Sequence, residues 1–186
     1  MLRSMAVLLM LSGVFGLSGC GGVIFATIKN DLGDDVMLLG YDPVAYFTQG
    51  KAVRGDKQHK VNLPDRTYYF ASDAQRQLFL ANPAKYEPQY GAFCSSGAAY
   101  AIKLGSDPTA WTIYDGRLFI FGDVLGKLAW ELDPAWNVRH GDALWPEAAD
   151  KGWRGQSLKR YVSKVDHYKT GAQIVAEYKA RNPGKE

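Results

Sequence analysis

Cysteine and histidine are scarce in this chain of 186 residues, which holds two of the former and three of the latter and shows no clustered run of lysine or arginine. Each scarcity excludes something. With Cys20 used elsewhere, as argued below, Cys94 has no partner for an internal disulfide, so the core must hold without one. His59, His140 and His167 stand far apart, and none forms a spaced pair with Cys94, so no local metal-ligand motif is written into the chain. The lack of a basic run removes the electrostatic footprint that nucleic-acid binding needs, and nucleic acid is not an expected partner. Also missing are a glycine-flanked nucleophilic serine, a phosphate-cradling glycine loop, and a histidine pair on one helix face with a glutamate between. A Cys94 and His140 dyad is an enzymatic arrangement the residue types would allow. Nothing in the sequence places the two together, and the expectation is a protein that is not an enzyme.

Long apolar runs are rare as well. Residues 5–17 form one, uncharged and preceded by the single positive charge of Arg3, which is the pattern of a signal peptide over residues 1–19. Crossing a bilayer as a helix takes roughly 20 residues, so this run is too short to remain as a span and is built to be removed. It ends in Leu17-Ser18-Gly19-Cys20, which resembles the lipobox of bacterial lipoproteins: a branched apolar residue, two small residues, then the cysteine that is acylated and becomes the new N-terminus. The resemblance implies cleavage before Cys20 and lipidation of its thiol, palmitate included. It also implies a membrane partner through that anchor, since two or more acyl chains hold stably where one holds only marginally. Gly21 is not the aspartate that retains lipoproteins in the inner membrane of enteric bacteria, which favours the outer membrane with the domain in the periplasm. Losing residues 1–19 removes Arg3 as the only charge and leaves a nearly neutral chain of a length that suits one domain.

Residues 20–37 read as the lipidated N-terminus and a tether with little periodicity, and the organised part begins at 38. Val44, Tyr46 and Phe47 suggest a short extended segment ended by Gly50. A hairpin fits residues 59–70 around the turn Pro64-Asp65-Arg66. Ser72-Asp73-Ala74-Gln75 is a capping-box pattern that opens a helix to about Ala81, with Leu78, Phe79 and Leu80 on its apolar side. Asn82-Pro83 stops that helix and starts a short turn through Tyr86, after which Pro88 forbids a long continuation. Residues 95–101 read as helical, and Asp115-Gly116 between two apolar runs is a strong hairpin signal. Leu125, Leu128, Ala129 and Leu132 recur at helical spacing and predict a helix over 124–132. Residues 156–180 predict one or two peripheral helices. The fold class is therefore α+β: a small two-layer domain of β-hairpins packed against short helices, over residues 38–147, with a helical C-terminal extension over 148–186.

Several segments occur in an order that resembles exported bacterial YHS-domain proteins. They are Gly40-Tyr41-Asp42-Pro43-Val44-Ala45-Tyr46-Phe47, Tyr68-Tyr69-Phe70-Ala71-Ser72, Asn82-Pro83-Ala84-Lys85-Tyr86 and Pro88-Gln89-Tyr90-Gly91-Ala92-Phe93-Cys94. Downstream, Asp115-Gly116-Arg117-Leu118-Phe119 and Asp142-Ala143-Leu144-Trp145-Pro146 resemble that family's second hairpin and closing motif. The resemblance implies an envelope binding module. Such domains occur beside heavy-metal transport ATPases, where the segment matching Asp42-Pro43-Val44 is typically followed by a cysteine; this chain has Ala45 there, and so one thiolate where that branch has two.

The candidate site residues follow from both readings. Cys94 is the expected metal ligand, preceded by the flexible Gly91 and followed by a helix start, a setting that can lower a thiol pKa; the alternative is a buried cysteine acting as a small hydrophobe. His140, two residues before Asp142, is its candidate partner, and a thiolate with an imidazole suits a copper or zinc ion. Asp42 closes a turn through its carboxylate or lines a pocket with Tyr46, and Tyr90 and Phe93 are candidate pocket walls around Cys94. Three functions are open: a binding module for a soft metal ion, a thiol-active protein, and a structural lipoprotein that docks another envelope protein.

Overall fold

A computed structural model describes residues 25–149 and 169–184. The expected signal peptide, Cys20 with its expected lipidation, and residues 150–168 lie outside the described residues.

The fold is α+β, built on two small sheets. In the first, strands β1 (Thr27–Lys29), β2 (Asp35–Met37), β3 (Asp56–Asn62) and β4 (Thr67–Phe70) lie in the order β1-β2-β4-β3. The second is the hairpin of β5 (Asp107–Tyr114) and β6 (Arg117–Phe121), turning at Asp115-Gly116 as the sequence predicts. The expected hairpin at 59–70 is β3 with β4, in the antiparallel register Val61 to Tyr68.

Two expectations are corrected here. The tether does not run to 37, because β1 and β2 pair as a hairpin. Asn30 makes that turn: its side-chain oxygen accepts the N–H groups of Leu32 at 2.9 Å and Asp34 at 2.8 Å, and Gly33 takes the positive φ that follows. Val36 and Met37 are then both buried. Second, Val44, Tyr46 and Phe47 are helical rather than extended, lying at the N-cap of or within helix α1 (Ala45–Gln49), because the Asp42 carboxylate accepts the N–H groups at the helix entrance.

Helix α2 (Asp73–Ala81) begins where Ser72 Oγ accepts the Gln75 N–H at 3.3 Å. Only half of the capping box forms, since the Gln75 side chain reaches Thr48 instead. The short α3 (Pro83–Tyr86) follows Asn82 as expected. Helix α4 (Ser95–Ala98) is shorter than predicted because Ala101 takes a positive φ of 55° and the Ile102 N–H turns back onto the Gly97 carbonyl. Helix α5 (Val124–Glu131) matches its prediction and is capped by Asp123, which accepts the Gly126 N–H at 2.7 Å. Helix α6 (Pro134–Ala149) carries the closing motif and runs through residue 147, across the expected domain boundary. A complete capping box, Thr170 with Gln173, opens α7 (Gly171–Arg181) in the predicted extension. Arg181 ties α7 to the end of α5 by donating to the Leu132 carbonyl at 2.8 Å.

Strand β6 explains how these layers cohere. Its side chains alternate between faces. Leu118 and Ile120 enter one core with Met37, Tyr46, Tyr68 and Phe79. Phe119 and Phe121 enter a second with Tyr90, Cys94, Ala110 and Trp130. All four are fully buried, at roughly 1.5–3 kcal/mol for each such side chain. The strand is thus apolar on both faces, which is why its run reads as continuous rather than alternating.

Candidate functional site

Asp42 lies in the first core with no exposed surface. Its Oδ1 accepts the N–H groups of Val44 at 2.8 Å and Ala45 at 3.3 Å, and its Oδ2 accepts the Ala71 N–H at 2.8 Å. The carboxylate thus bolts the entrance of α1 to the end of β4. Burial pushes its pKa above the ordinary aspartate value, opposed by the three backbone donors. Tyr46 is equally enclosed. Its hydroxyl donates to the Pro108 carbonyl at 2.9 Å, its ring meets Trp111 edge-on at 5.0 Å, and burial holds its phenol far above the usual range. The expected pocket role for this pair is therefore corrected: Asp42 is a cap and Tyr46 a pillar of the core.

Cys94 sits in the second core at 2 % exposure. Its Sγ lies 3.0 Å from Ser96 Oγ. Gly122 and Gly126 border it, so that a Cβ built on either would meet the sulfur at ordinary van der Waals distance, 3.7 and 3.5 Å. The helix that follows Cys94 is a single turn, and the thiol instead faces the first turn of α5. His140 has other company. Its ring stacks on Trp136 with centroids 3.8 Å apart, and its Nδ1 lies 2.8 Å from the Trp136 carbonyl oxygen. The contacts of the expected ligand pair are thus separate ones, Ser96 for Cys94 and Trp136 for His140. Among the described residues, no group of three or more His, Cys, Asp or Glu side chains could hold a metal ion.

Tyr90 belongs to a polar cluster that the sequence reading left out. Its hydroxyl donates to Asp142 Oδ1 at 3.0 Å. Arg117 grips the same carboxylate in a fork, Nη1 to Oδ2 at 2.8 Å and Nη2 to Oδ1 at 2.7 Å, and also reaches Gln89 Oε1 at 2.7 Å. Arg117 holds the Asp142 carboxyl below the ordinary value. Burial, then Asp142, pushes the Tyr90 phenol up. The cluster joins three elements: β6, α6, and the turn of residues 89–92, where Tyr90, Gly91 and Ala92 all have positive φ. Gly141 is obligatory beneath it, since a Cβ there would lie 2.4 Å from the Tyr90 hydroxyl oxygen.

Phe93 and Tyr90 both pack against Trp145, with ring centroids 5.8 and 5.7 Å away. Lys103 is buried at the same place, its Nζ over the Phe93 and Trp145 rings and donating to the Ala149 carbonyl at 2.6 Å. A cation at the last carbonyl of α6 complements the negative end of that helix. Tyr90 and Phe93 are thus brought together, around Trp145 and α6. The available signal was that Arg117 and Asp142 occupy the two downstream segments that carry the YHS resemblance, as charges of opposite sign. Lys103 had no signal, because a lone lysine between small residues reads as exposed.

No family model, no curated protein and no solved structure matches this chain.

Proposed function

We propose that the chain is an envelope lipoprotein, anchored in the outer membrane through acylated Cys20, whose YHS-like domain serves as a structural or partner-binding module with Cys94 as part of its core. The burial of Cys94 carries this reading. The sulfur is 2 % exposed and has one polar neighbour, Ser96 Oγ, a setting that suits a core residue better than a metal ligand. Asp42, another ionisable candidate, spends both oxygens on backbone donors.

One observation favours the soft-metal reading as the second choice. Ser95 Oγ and Trp130 Nε1 are buried without partners, one beside Cys94 in the chain and the other in its core cluster, and such groups call for an explanation.

Anaerobic titration of the full chain with Cu(I) and Zn(II), beside a Cys94→Ala control, separates the two. The proposed function predicts no stoichiometric uptake that depends on Cys94. Tight one-to-one binding abolished by Cys94→Ala would replace it with a copper or zinc module. The anchor is tested separately by incorporation of labelled palmitate, expected in the native chain and absent in Cys20→Ala.

A further inference from the structure

Helix α7 lies across α5 with none of its side chains fully buried, and a groove of about 320 Å³ opens between the two helices and β5. That volume lies in the range of small-molecule sites.

The walls divide by chemistry. Ala110 of β5, Val124 and Leu128 of α5 and Val175 of α7 form the apolar part, and Val124 stands 65 % exposed. Such walls offer nothing to a polar group and suit an alkyl tail. The charged part is contributed by Lys127, Lys179 and one opposing carboxylate, Glu131. Glu131 is already shared. Lys127 approaches it only to 3.7 Å, beyond hydrogen-bond reach. Tyr178 faces it from α7, and partial burial with that carboxylate nearby raises the Tyr178 phenol. Lys179 has no ion pair among the described residues. The groove therefore presents an apolar floor beside two ammonium groups with one shared counter-charge.

We infer that this groove binds a fatty-acyl carboxylate of medium chain length, its alkyl tail against Ala110, Val124, Leu128 and Val175 and its head group paired with Lys179 and Lys127. A zwitterion or an aliphatic amine would set a positive charge against both lysines. The inference deepens the proposed binding role and rests on it in placing function away from Cys94.

The test is calorimetric titration of the full chain carrying Cys20→Ala with decanoate below its micelle concentration, and with decylammonium as the charge-reversed control. Saturable one-to-one binding of decanoate is expected, at least about tenfold tighter than decylammonium. Lys179→Met should weaken decanoate about tenfold without altering the melting temperature. Val175→Trp, which fills the groove, should abolish binding while circular dichroism reports an intact fold. No saturable binding, equal binding of the cation, or an affinity unmoved by both substitutions would overturn the inference. So would a concentration-dependent dimer in sedimentation that decanoate does not dissociate, since a second copy would then occupy the groove. Lys179 is exposed on α7, so its variant decides the matter even where Val175→Trp fails to fold. Failure here leaves the Cys94 metal titration untouched, and the two readings fall separately.

Discussion

The two cores that flank β6 bury their ionisable residues equally deeply and use them in opposite ways. In the first, Asp42 gives both carboxylate oxygens to backbone donors at the entrance of α1 and the end of β4. In the second, the Cys94 thiol has one polar neighbour, and two further polar atoms, Ser95 Oγ and Trp130 Nε1, have none. Burial alone therefore does not identify a functional group. A residue whose hydrogen-bonding capacity is consumed by the backbone is architecture, and a thiol enclosed by glycines and aromatic rings behaves as a small hydrophobe.

The contrast predicts unequal costs of substitution. Asp42→Ala should be the most damaging change, on the order of 4 kcal/mol, because it strands three N–H groups, two of them buried; Asp42→Asn should cost less. Urea unfolding followed by circular dichroism measures both, and a loss below that of Cys94→Ala would break the comparison. Gly141→Ala should cost about 2 kcal/mol by driving a methyl group into the Tyr90 ring, with a matching change in near-UV signal from Tyr90 and Trp145. Cys94→Ala should cost about 1–2 kcal/mol, the ordinary penalty for trimming a small buried side chain.

The smallest effect is the most diagnostic, because Asp42 and Asp142 respond to pH with opposite signs. The folded pKa of Asp142 is depressed by Arg117, so its contribution is present above the unfolded value and is lost as pH falls through the folded one. The Asp142 side chain is 46 % exposed and solvent screens the pair, so the loss should stay under about 1 kcal/mol. Asp142→Asn should remove that part of the acid sensitivity. The folded pKa of Asp42 is raised: between its unfolded and folded values the native state holds more protons than the unfolded chain, so its contribution to stability declines as pH rises through that window. Carboxyl-carbon NMR titration should place Asp42 above and Asp142 below the ordinary aspartate value. The reverse order would contradict the assignment of the two clusters.

Much of the scaffold was legible in the sequence because its signals are local. Asp115-Gly116 and Pro64-Asp65-Arg66 fix their hairpins through turn chemistry, Ser72 opens α2, and the leucine spacing of α5 is helical. The misses have local causes too. The strand pair β1 and β2 is three residues on each side, too short for a period to show, and its turn depends on one asparagine side chain. The segment after Pro43 has β-branched and aromatic residues that read as extended, and a carboxylate bonded to two successive N–H groups makes it helical. The site was less legible. Tyr90 and Phe93, read as pocket walls around Cys94, pack on Trp145, and Arg117, Gln89 and Lys103 act across 25 to 46 residues of chain, a separation at which no sequence period reports contacts.

The rate at which a thiol reagent modifies Cys94 tests the central claim most directly, measured in the folded chain carrying Cys20→Ala and again in strong denaturant. A core Cys94 predicts a folded rate on the order of 10³-fold or more below the denatured rate, rising with urea along the unfolding curve. A folded rate close to the denatured one would contradict it, and would return Cys94 to the surface as a working thiol.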